Sequence, residues 1–236
     1  MASIEWKTVG VLGGFGPEAT VDFYQRVLDY AKKRVTGARA NTGYPRMIIY
    51  NCNFIPFDTS DAKNMRANPE LLEVAKKVEA AGANFIVIPS NTPHLFYDEI
   101  VASMSVPMLH IVDETAKAAN ERKVRKVAVI PAHPQVGELY RKYLEKYNIE
   151  VETPDADSYK GLTKNIEEFM AGRRVDAAKQ FLAGLMDRFD KTADITILAC
   201  TELPLILGDD LKKYRFLDST QVLAEVTVER ALKARL

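Results

Sequence analysis

The chain has few cysteines, few histidines and no excess of charge of either sign. Its two cysteines, Cys52 and Cys200, allow one disulfide at most, which is a poor covalent framework for 236 residues. Neither cysteine lies in a CxxC pair, and no zinc-like spacing involves His94, His110 or His133. We therefore expect reduced thiols and no metal site.

The balance of charge argues against two large classes of partner. The 32 basic and 32 acidic residues give zero net charge, so no basic surplus indicates nucleic acid or an anionic membrane. No apolar run approaches the roughly 20 residues of a membrane span, and Met1–Trp6 is too short and polar for a signal peptide. We expect a cytoplasmic protein with neither kind of partner.

Short apolar runs alternate with helical patterns along the whole chain. The predicted strands are Lys7–Leu12, Arg46–Asn51, Asn84–Pro89, Val106–Leu109, Lys126–Ile130, Ile149–Val151, Asp194–Ala199 and Arg215–Leu217. The predicted helices are Glu18–Arg34, Pro69–Ala81, Pro93–Ser103, Asp113–Arg122, Gln135–Tyr147, Tyr159–Ala171, Arg174–Arg188 and Thr220–Ala234. This alternation predicts an α/β fold with right-handed crossovers and mainly parallel sheets flanked by helices.

The two halves of the chain resemble each other at their strands. Val9–Gly13 is similar to Val127–Pro131, and Ile86–Thr92 is similar to Ile195–Thr201. We interpret this as a weak internal duplication, which predicts two similar lobes related by a pseudo-two-fold axis. Since ligands of parallel α/β folds bind beyond the carboxyl ends of the strands, we expect the active site in the cleft between the lobes.

The predicted lobes are not divided by a single boundary. The first is expected to comprise residues 1–109 plus 219–236, and the second residues 110–218. The C-terminal helix Thr220–Ala234 is thus expected to cross back and pack on the first lobe. Because no low-complexity linker separates the halves, a rigid cleft is favoured over two tethered domains.

Three loops follow predicted strands and carry the candidate chemistry, namely Gly13–Ala19, Ser90–His94 and Cys200–Glu202. The first contains a G-x-G-x-x-A pattern, but the next strand ends in Asn51–Asn53, without the acidic residue that a dinucleotide ribose requires. Two other interpretations of this loop stay open. It is a tight turn into a helix, or its amides hold a carboxylate at the helix N-terminus.

Cys200 and Ser90 occupy comparable positions in the two halves. A free cysteine is most often a small buried hydrophobe, but Cys200 follows the buried run Ile195–Ala199, and a helix N-terminus there would lower the thiol pKa and favour the thiolate. Ser90–Thr92 has the composition of a helix N-cap. A cap alone does not explain three consecutive polar side chains at a strand end.

Taken together, these motifs resemble the aspartate/glutamate racemase family over essentially the whole chain. The family's glycine motif appears as Gly13–Thr20, its Cys-Asn-Thr-x-His motif as Ser90–His94, and its Gly-Cys-Thr-Glu motif as Ala199–Glu202. Its substrate-binding lysine corresponds to Lys160. Ser90 stands where most members have the first catalytic cysteine, so the chain resembles the branch in which a hydroxyl residue replaces it.

The resemblance implies a cofactor-independent amino-acid racemase, a homodimer acting on aspartate, glutamate or a related amino acid or dicarboxylate. Cys200 would be the main acid/base for the α-proton, without pyridoxal phosphate. Ser90, or a water that it holds, would act on the opposite face of the substrate. A serine hydroxyl is a far weaker acid than a thiol of pKa about 8.5, and it is a poor general base, so symmetric two-thiol chemistry is excluded.

The resemblance also implies a set of groups that bind the substrate and stabilise its enolate-like intermediate. The substrate-binding residues would be Gly14, Asn91, Thr92, Lys160, Thr201 and Glu202. Further candidates for the pocket are His94, Asn53, His110 and His133. For His94 we favour a role in capping or orienting the Ser90 loop over direct proton transfer, and we expect Cys52 to be inert.

Two other functions stay open at this stage. A decarboxylase of the same superfamily would use one thiol to protonate a carbanion after carbon dioxide leaves. Such enzymes pair the thiol with a small apolar pocket, whereas Ser90–Thr92 is polar. The second alternative is a non-catalytic carboxylate-binding protein that has lost its first base.

Overall fold

The strands and helices of the chain group into two α/β units. The computed structural model describes residues 5–35, 40–58 and 65–232. One unit is drawn from Met1–Ile111 and Leu223–Leu236, and the other is Val112–Val222. Each unit contains one parallel sheet with helices around it, which confirms the predicted fold class. No helix in the described part of the chain has the length and apolar character needed to cross a bilayer.

The first unit is built on a three-stranded parallel sheet. Its strands are β1 (Thr8–Gly13), β2 (Arg46–Asn51) and β3 (Phe85–Val87), in the order β2-β1-β3. Its first three helices are α1 (Pro17–Arg34), α2 (Pro69–Ala80) and α3 (Tyr97–Ala102). Beyond its first residue, the central strand β1 is fully buried, because apolar side chains cover both of its faces.

The second unit is built on a four-stranded parallel sheet. Its strands are β4 (Lys126–Pro131), β5 (Glu150–Glu152), β6 (Ile195–Ala199) and β7 (Phe216–Asp218), in the order β5-β4-β6-β7. Helices that follow along the chain are α4 (Ile111–Glu121), α5 (Pro134–Leu144), α6 (Ala156–Met170), α7 (Val175–Phe189) and α8 (Leu203–Leu207). Since β4, β6 and β7 are parallel neighbours, their carboxyl ends lie at one edge of the sheet.

The last helix, α9 (Ser219–Ala231), starts in the second unit and ends in the first. Its end is fixed to the beginning of the chain, where the Lys7 amide donates to the Ala231 carbonyl at 2.8 Å. Glu229 on the same helix pairs with Arg34 at the end of α1. The predicted helix end at Ala234 lies outside the described residues.

The predicted strand Val106–Leu109 is wrong. Only Met108 forms a bridge, parallel to Ile86. The Ile86 amide donates to the Pro107 carbonyl at 2.9 Å, and the Leu109 amide donates to the Ile86 carbonyl at 3.0 Å. Pro107 has no amide hydrogen to extend the ladder, so the segment forms a single bridge and no strand.

The predicted helix Pro93–Ser103 is two shorter elements. The 3₁₀ helix Thr92–Phe96 comes first, and α3 follows it directly. The His94 amide donates to the Asn91 carbonyl at 3.1 Å, which is the three-residue spacing of a 3₁₀ turn. The apolar periodicity of the segment does not distinguish this spacing from that of an α-helix.

Two further helices, α6 and α8, differ from the prediction. The helix predicted from Tyr159 begins at Ala156, because the Asp155 carboxylate accepts the Ser158 amide at 2.8 Å and caps it. The short helix α8 was not predicted at all. It has five residues, too few for a periodic pattern.

Candidate active site

In the second unit, Cys200, Thr201 and Glu202 form a buried hydrogen-bonded group at the end of β6. The Cys200 thiol donates to Glu202 Oε2 at 3.0 Å, and the Thr201 hydroxyl donates to the same oxygen at 3.1 Å. All three residues are buried. The carboxylate therefore receives two protein donors where solvent is nearly excluded, and electrostatic interactions there are stronger than at the surface.

The protonation state of Cys200 differs from the sequence-based expectation. Burial, followed by the charge of Glu202 and the hydrogen bond to it, raises the pKa of the thiol well above its usual value. Backbone hydrogen bonds at Glu202 and Leu203 lower the pKa, but they do not outweigh these causes. The expected net lowering of the thiol pKa is wrong, because burial and the carboxylate beside the sulfur outweigh the backbone amides at the start of α8. Cys200 rests as a neutral thiol.

The strand and the short helix hold this loop firmly. β6 is buried along its whole length, and the Leu203 amide closes the turn by donating to the Cys200 carbonyl at 3.2 Å. Beneath it, the Ser219 hydroxyl donates to the Leu198 carbonyl at 2.9 Å, tying the start of α9 to β6. The sulfur thus has a fixed position on a rigid element, as acid/base chemistry requires.

In the first unit, Ser90 lies in a tight turn after β3. Its amide donates to the Ile88 carbonyl at 2.8 Å, and Nε2 of His94 lies 3.3 Å from the same oxygen. Ser90 and Asn91 are buried, while Thr92 is half-buried at the start of the 3₁₀ helix. The structure therefore brings Ser90, Asn91, Thr92 and His94 together in one loop.

Two of the candidate histidines lie beside that loop in an aromatic cluster. The ring centroids of His94 and His110 are 4.9 Å apart, and those of Tyr97 and His110 are 4.5 Å apart. Burial, and secondarily His110, lowers the pKa of His94 well below its usual value, so His94 is neutral. Tyr97 was not singled out from the sequence, although its position three residues after His94 on a helical pattern was a usable signal.

The glycine loop holds a turn between β1 and α1. Gly14 has a φ of 91°, and a side chain there would overlap the Cys52 backbone. Its amide donates to the Thr20 hydroxyl at 2.9 Å. This bond argues against the prediction that Gly14 donates its amide to a substrate. The tight turn into a helix, considered above, describes the loop best.

The remaining predicted residues are less enclosed. Lys160 lies on α6 with an 81% exposed side chain, 3.5 Å from Asp157. It lines an open cavity of about 730 Å³ whose walls are Pro134, Pro154, Ala156, Tyr159, Lys160, Thr163, Lys164 and Glu167. Among the described contacts, Lys160 has none with the Cys200 group.

His133, Asn53 and Cys52 are not part of either hydrogen-bonded loop in the described residues. His133 precedes α5; burial lowers its pKa, and the carboxylate of Glu167 partly offsets this. Asn53 is exposed. Cys52 is buried, which raises its pKa to about 11. Within the described residues, no group of three or more His, Cys, Asp or Glu side chains is placed to hold a metal ion.

Known proteins are similar to this chain in both sequence and fold. The family described as Asp/Glu/Hydantoin racemase matches residues 12–227. The chain belongs to this family. It is 31% identical to the broad specificity amino-acid racemase RacX of Bacillus subtilis, over 95% of this chain and 98% of that protein. It is therefore a member of a family of amino-acid racemases, which are isomerases.

Solved structures of the racemase family have the same fold. An aspartate racemase homologue from Pyrococcus horikoshii OT3 is 29% identical, with a TM-score of 0.74 over 95% of this chain and 99% of that one. The aspartate racemase of Picrophilus torridus is 26% identical, with a TM-score of 0.78 over 96% of each chain. A glutamate racemase from Thermus thermophilus, at 19% identity and a TM-score of 0.57, covers 97% of this chain and 84% of its own and shares the fold.

Proposed function

We propose that this racemase acts on aspartate, glutamate or a related amino acid by removing and returning the α-proton, with Cys200 as its main acid/base and without pyridoxal phosphate or a metal. The observation that carries the proposal is the buried hydrogen bond of 3.0 Å from the Cys200 thiol to the Glu202 carboxylate. It places a proton acceptor directly beside the only cysteine of this loop. The proposed chemistry needs no further base to activate the sulfur.

The thiol–carboxylate pair solves the problem of forming a thiolate in a buried site. A thiolate alone would be strongly disfavoured by burial. When the proton of Cys200 passes to Glu202, however, the pair keeps a single negative charge, so burial opposes the two forms to a similar degree. Glu202 is thus proposed as the group that activates Cys200, a more specific role than the substrate binding inferred from the sequence.

Burial, the largest cause of the raised pKa of Cys200, makes the thiolate a stronger base once it has formed. The α-proton of an amino acid is very weakly acidic, and a base of higher pKa removes it with a smaller free-energy penalty. The thiolate takes the proton from one face of the α-carbon. In the opposite direction, the thiol returns the proton to the α-carbon, and the resulting thiolate takes back the proton held by Glu202, which recovers its negative charge.

Ser90, or a water that it holds, is proposed to act on the other face. The Ser90 loop carries polar groups at the carboxyl end of β3, where α/β folds bind ligands. Asn91 and Thr92 in that loop, with Thr201 beside Cys200, are proposed to donate hydrogen bonds to the enolate-like intermediate. We leave Gly14 out of this set, because its amide is bonded to Thr20.

The cavity on α6 is proposed to receive the substrate's side chain or a carboxylate. Its wall combines the ammonium groups of Lys160 and Lys164 with the carboxylate of Glu167 and the apolar surface of Pro134 and Tyr159. Two ammonium groups face one carboxylate in this wall, so acidic substrates are favoured without excluding others. The broad specificity in the name of the Bacillus subtilis relative supports the same choice.

The function is tested by following α-proton exchange in heavy water by NMR for a panel of single amino-acid enantiomers. The proposal predicts exchange together with formation of the opposite enantiomer, undiminished after exhaustive chelation. Release of carbon dioxide from malonates without exchange would instead indicate a decarboxylase. Binding without either reaction would indicate a carboxylate-binding protein. Activity that is lost on chelation and restored by a metal would contradict the metal-free mechanism.

A further inference from the structure

A buried imidazole lies directly behind the turn that carries Ser90. His94 is 1% exposed, and its ring centroid lies 4.9 Å from that of His110, which is 6% exposed. The ring of His110 in turn contacts Tyr97, whose hydroxyl donates to the Met108 carbonyl at 3.0 Å. His94 is therefore held by two aromatic neighbours, and one of them is itself anchored to the backbone.

A packing role alone does not explain why position 94 is a histidine. In the described structure, its Nδ1 is buried and has no hydrogen-bond partner, and a buried unpaired polar atom destabilises a fold. A leucine or phenylalanine would fill the space without that cost. The reason for an imidazole must then lie at the other nitrogen.

Nε2 of His94 lies 3.3 Å from the Ile88 carbonyl oxygen. Because a carbonyl only accepts, Nε2 carries the hydrogen and donates it. The same oxygen accepts the Ser90 amide at 2.8 Å. The His94 amide donates to the Asn91 carbonyl at 3.1 Å, which closes the other side of the loop. Ser90 thus lies inside a turn that His94 fastens through both its side chain and its backbone.

We propose that His94 is a positioning residue, which sets the place of the Ser90 hydroxyl by fixing the Ile88 carbonyl, and that it takes no proton from the substrate. This inference rests on the proposed function, in which Ser90 or its water acts on one face only. It follows that loss of the His94 side-chain bond impairs the Ser90 face and spares the Cys200 face.

The test compares His94→Leu, which removes the donor, with His94→Gln, whose amide nitrogen reaches about as far as Nε2. Racemisation and α-proton exchange are measured for both enantiomers. For His94→Leu we expect kcat for racemisation to fall about tenfold to a hundredfold, as for a misplaced catalytic group. Exchange of the enantiomer that Cys200 deprotonates should stay within about twofold, because the Cys200 thiol can swap its proton for a solvent deuteron and return that deuteron to the same face. KM should change little, and His94→Gln should recover most of the lost rate.

Three results would overturn the inference. Equal losses of racemisation and Cys200-side exchange would indicate a purely structural role, as would a His94→Gln variant no better than His94→Leu. Unchanged racemisation in His94→Leu would show that the bond to Ile88 is not needed. If His94→Leu does not fold, His94→Asn replaces it, because its shorter amide cannot reach the Ile88 carbonyl and should show the same selective loss.

Ser90→Ala separates this inference from the proposed function. If Ser90→Ala racemises at the wild-type rate, the proposed role of Ser90 fails, and the positioning role of His94 fails with it. If Ser90→Ala shows the selective loss while His94→Leu does not, only the inference about His94 fails. Selective loss in both variants supports both.

Discussion

At the scale of single residues, the chemistry of Cys200 depends on its neighbour Glu202, whose effect on the thiol pKa a sequence motif does not reveal. The sequence places Cys200 after a buried strand, and the fold agrees. Its pKa could not be inferred in the same way, because the sign depends on which of several close groups dominates. Burial and Glu202 raise it, and the backbone lowers it less.

Glu202→Gln tests this balance of charges. The change removes the carboxylate that raises the thiol pKa, so the pKa of Cys200 should fall while remaining raised by burial. Racemisation should nonetheless slow about a hundredfold, the low end of the contribution of general acid–base groups, because the proton acceptor is gone. Thiolate absorbance is titrated in the Cys52→Ser background to isolate Cys200. An unchanged titration with unchanged kcat would contradict the role of Glu202.

At the scale of elements, most strands and helices follow from periodicity, and the exceptions have local causes. Val106–Leu109 has the composition of a strand, but Pro107 limits its pairing to one bridge. Thr92–Phe96 adopts 3₁₀ spacing that apolar periodicity cannot resolve. The candidate loops were found because they follow buried strands. The side-chain contacts within them, such as His94 to Ile88, depend on tertiary packing and were not predictable.

At this scale, the turn between β1 and α1 allows a quantitative prediction about the free energy of unfolding. Gly14→Ala should destabilise the protein more than Gly82→Ala does. Both glycines have positive φ, 91° and 100°, so each alanine costs about 1–2 kcal/mol of backbone strain. Only at Gly14 does the added carbon also overlap the Cys52 backbone, whereas Gly82 has open space, and overpacking costs about 1–3 kcal/mol more.

Urea unfolding of the two variants measures the difference in the free energy of unfolding. Gly82→Ala is the matched control, because it carries the strain without the overlap. Equal destabilisation by the two substitutions would show that the close approach of Gly14 to Cys52 is not a constraint on this turn.

At the scale of the whole molecule, the chain matches its family over nearly its full length, while its two candidate loops lie in different units. Family membership establishes the fold and the class of reaction. It leaves the roles of individual groups to be determined, since Ser90 and Cys200 are chemically unlike. The homodimer that the resemblance implies stays a prediction.

The central claim is that the Cys200 thiol carries the α-proton. It is tested by NMR of α-proton exchange in heavy water with Cys200→Ser, and with Cys52→Ser as the matched control, since both cysteines are buried and only Cys200 bonds to a carboxylate. The account predicts that Cys200→Ser abolishes nearly all exchange for every amino acid that the wild type accepts, because a serine hydroxyl is a much poorer base. Cys52→Ser should keep wild-type exchange. Wild-type exchange rates in Cys200→Ser would contradict the account and assign Cys200 a structural role.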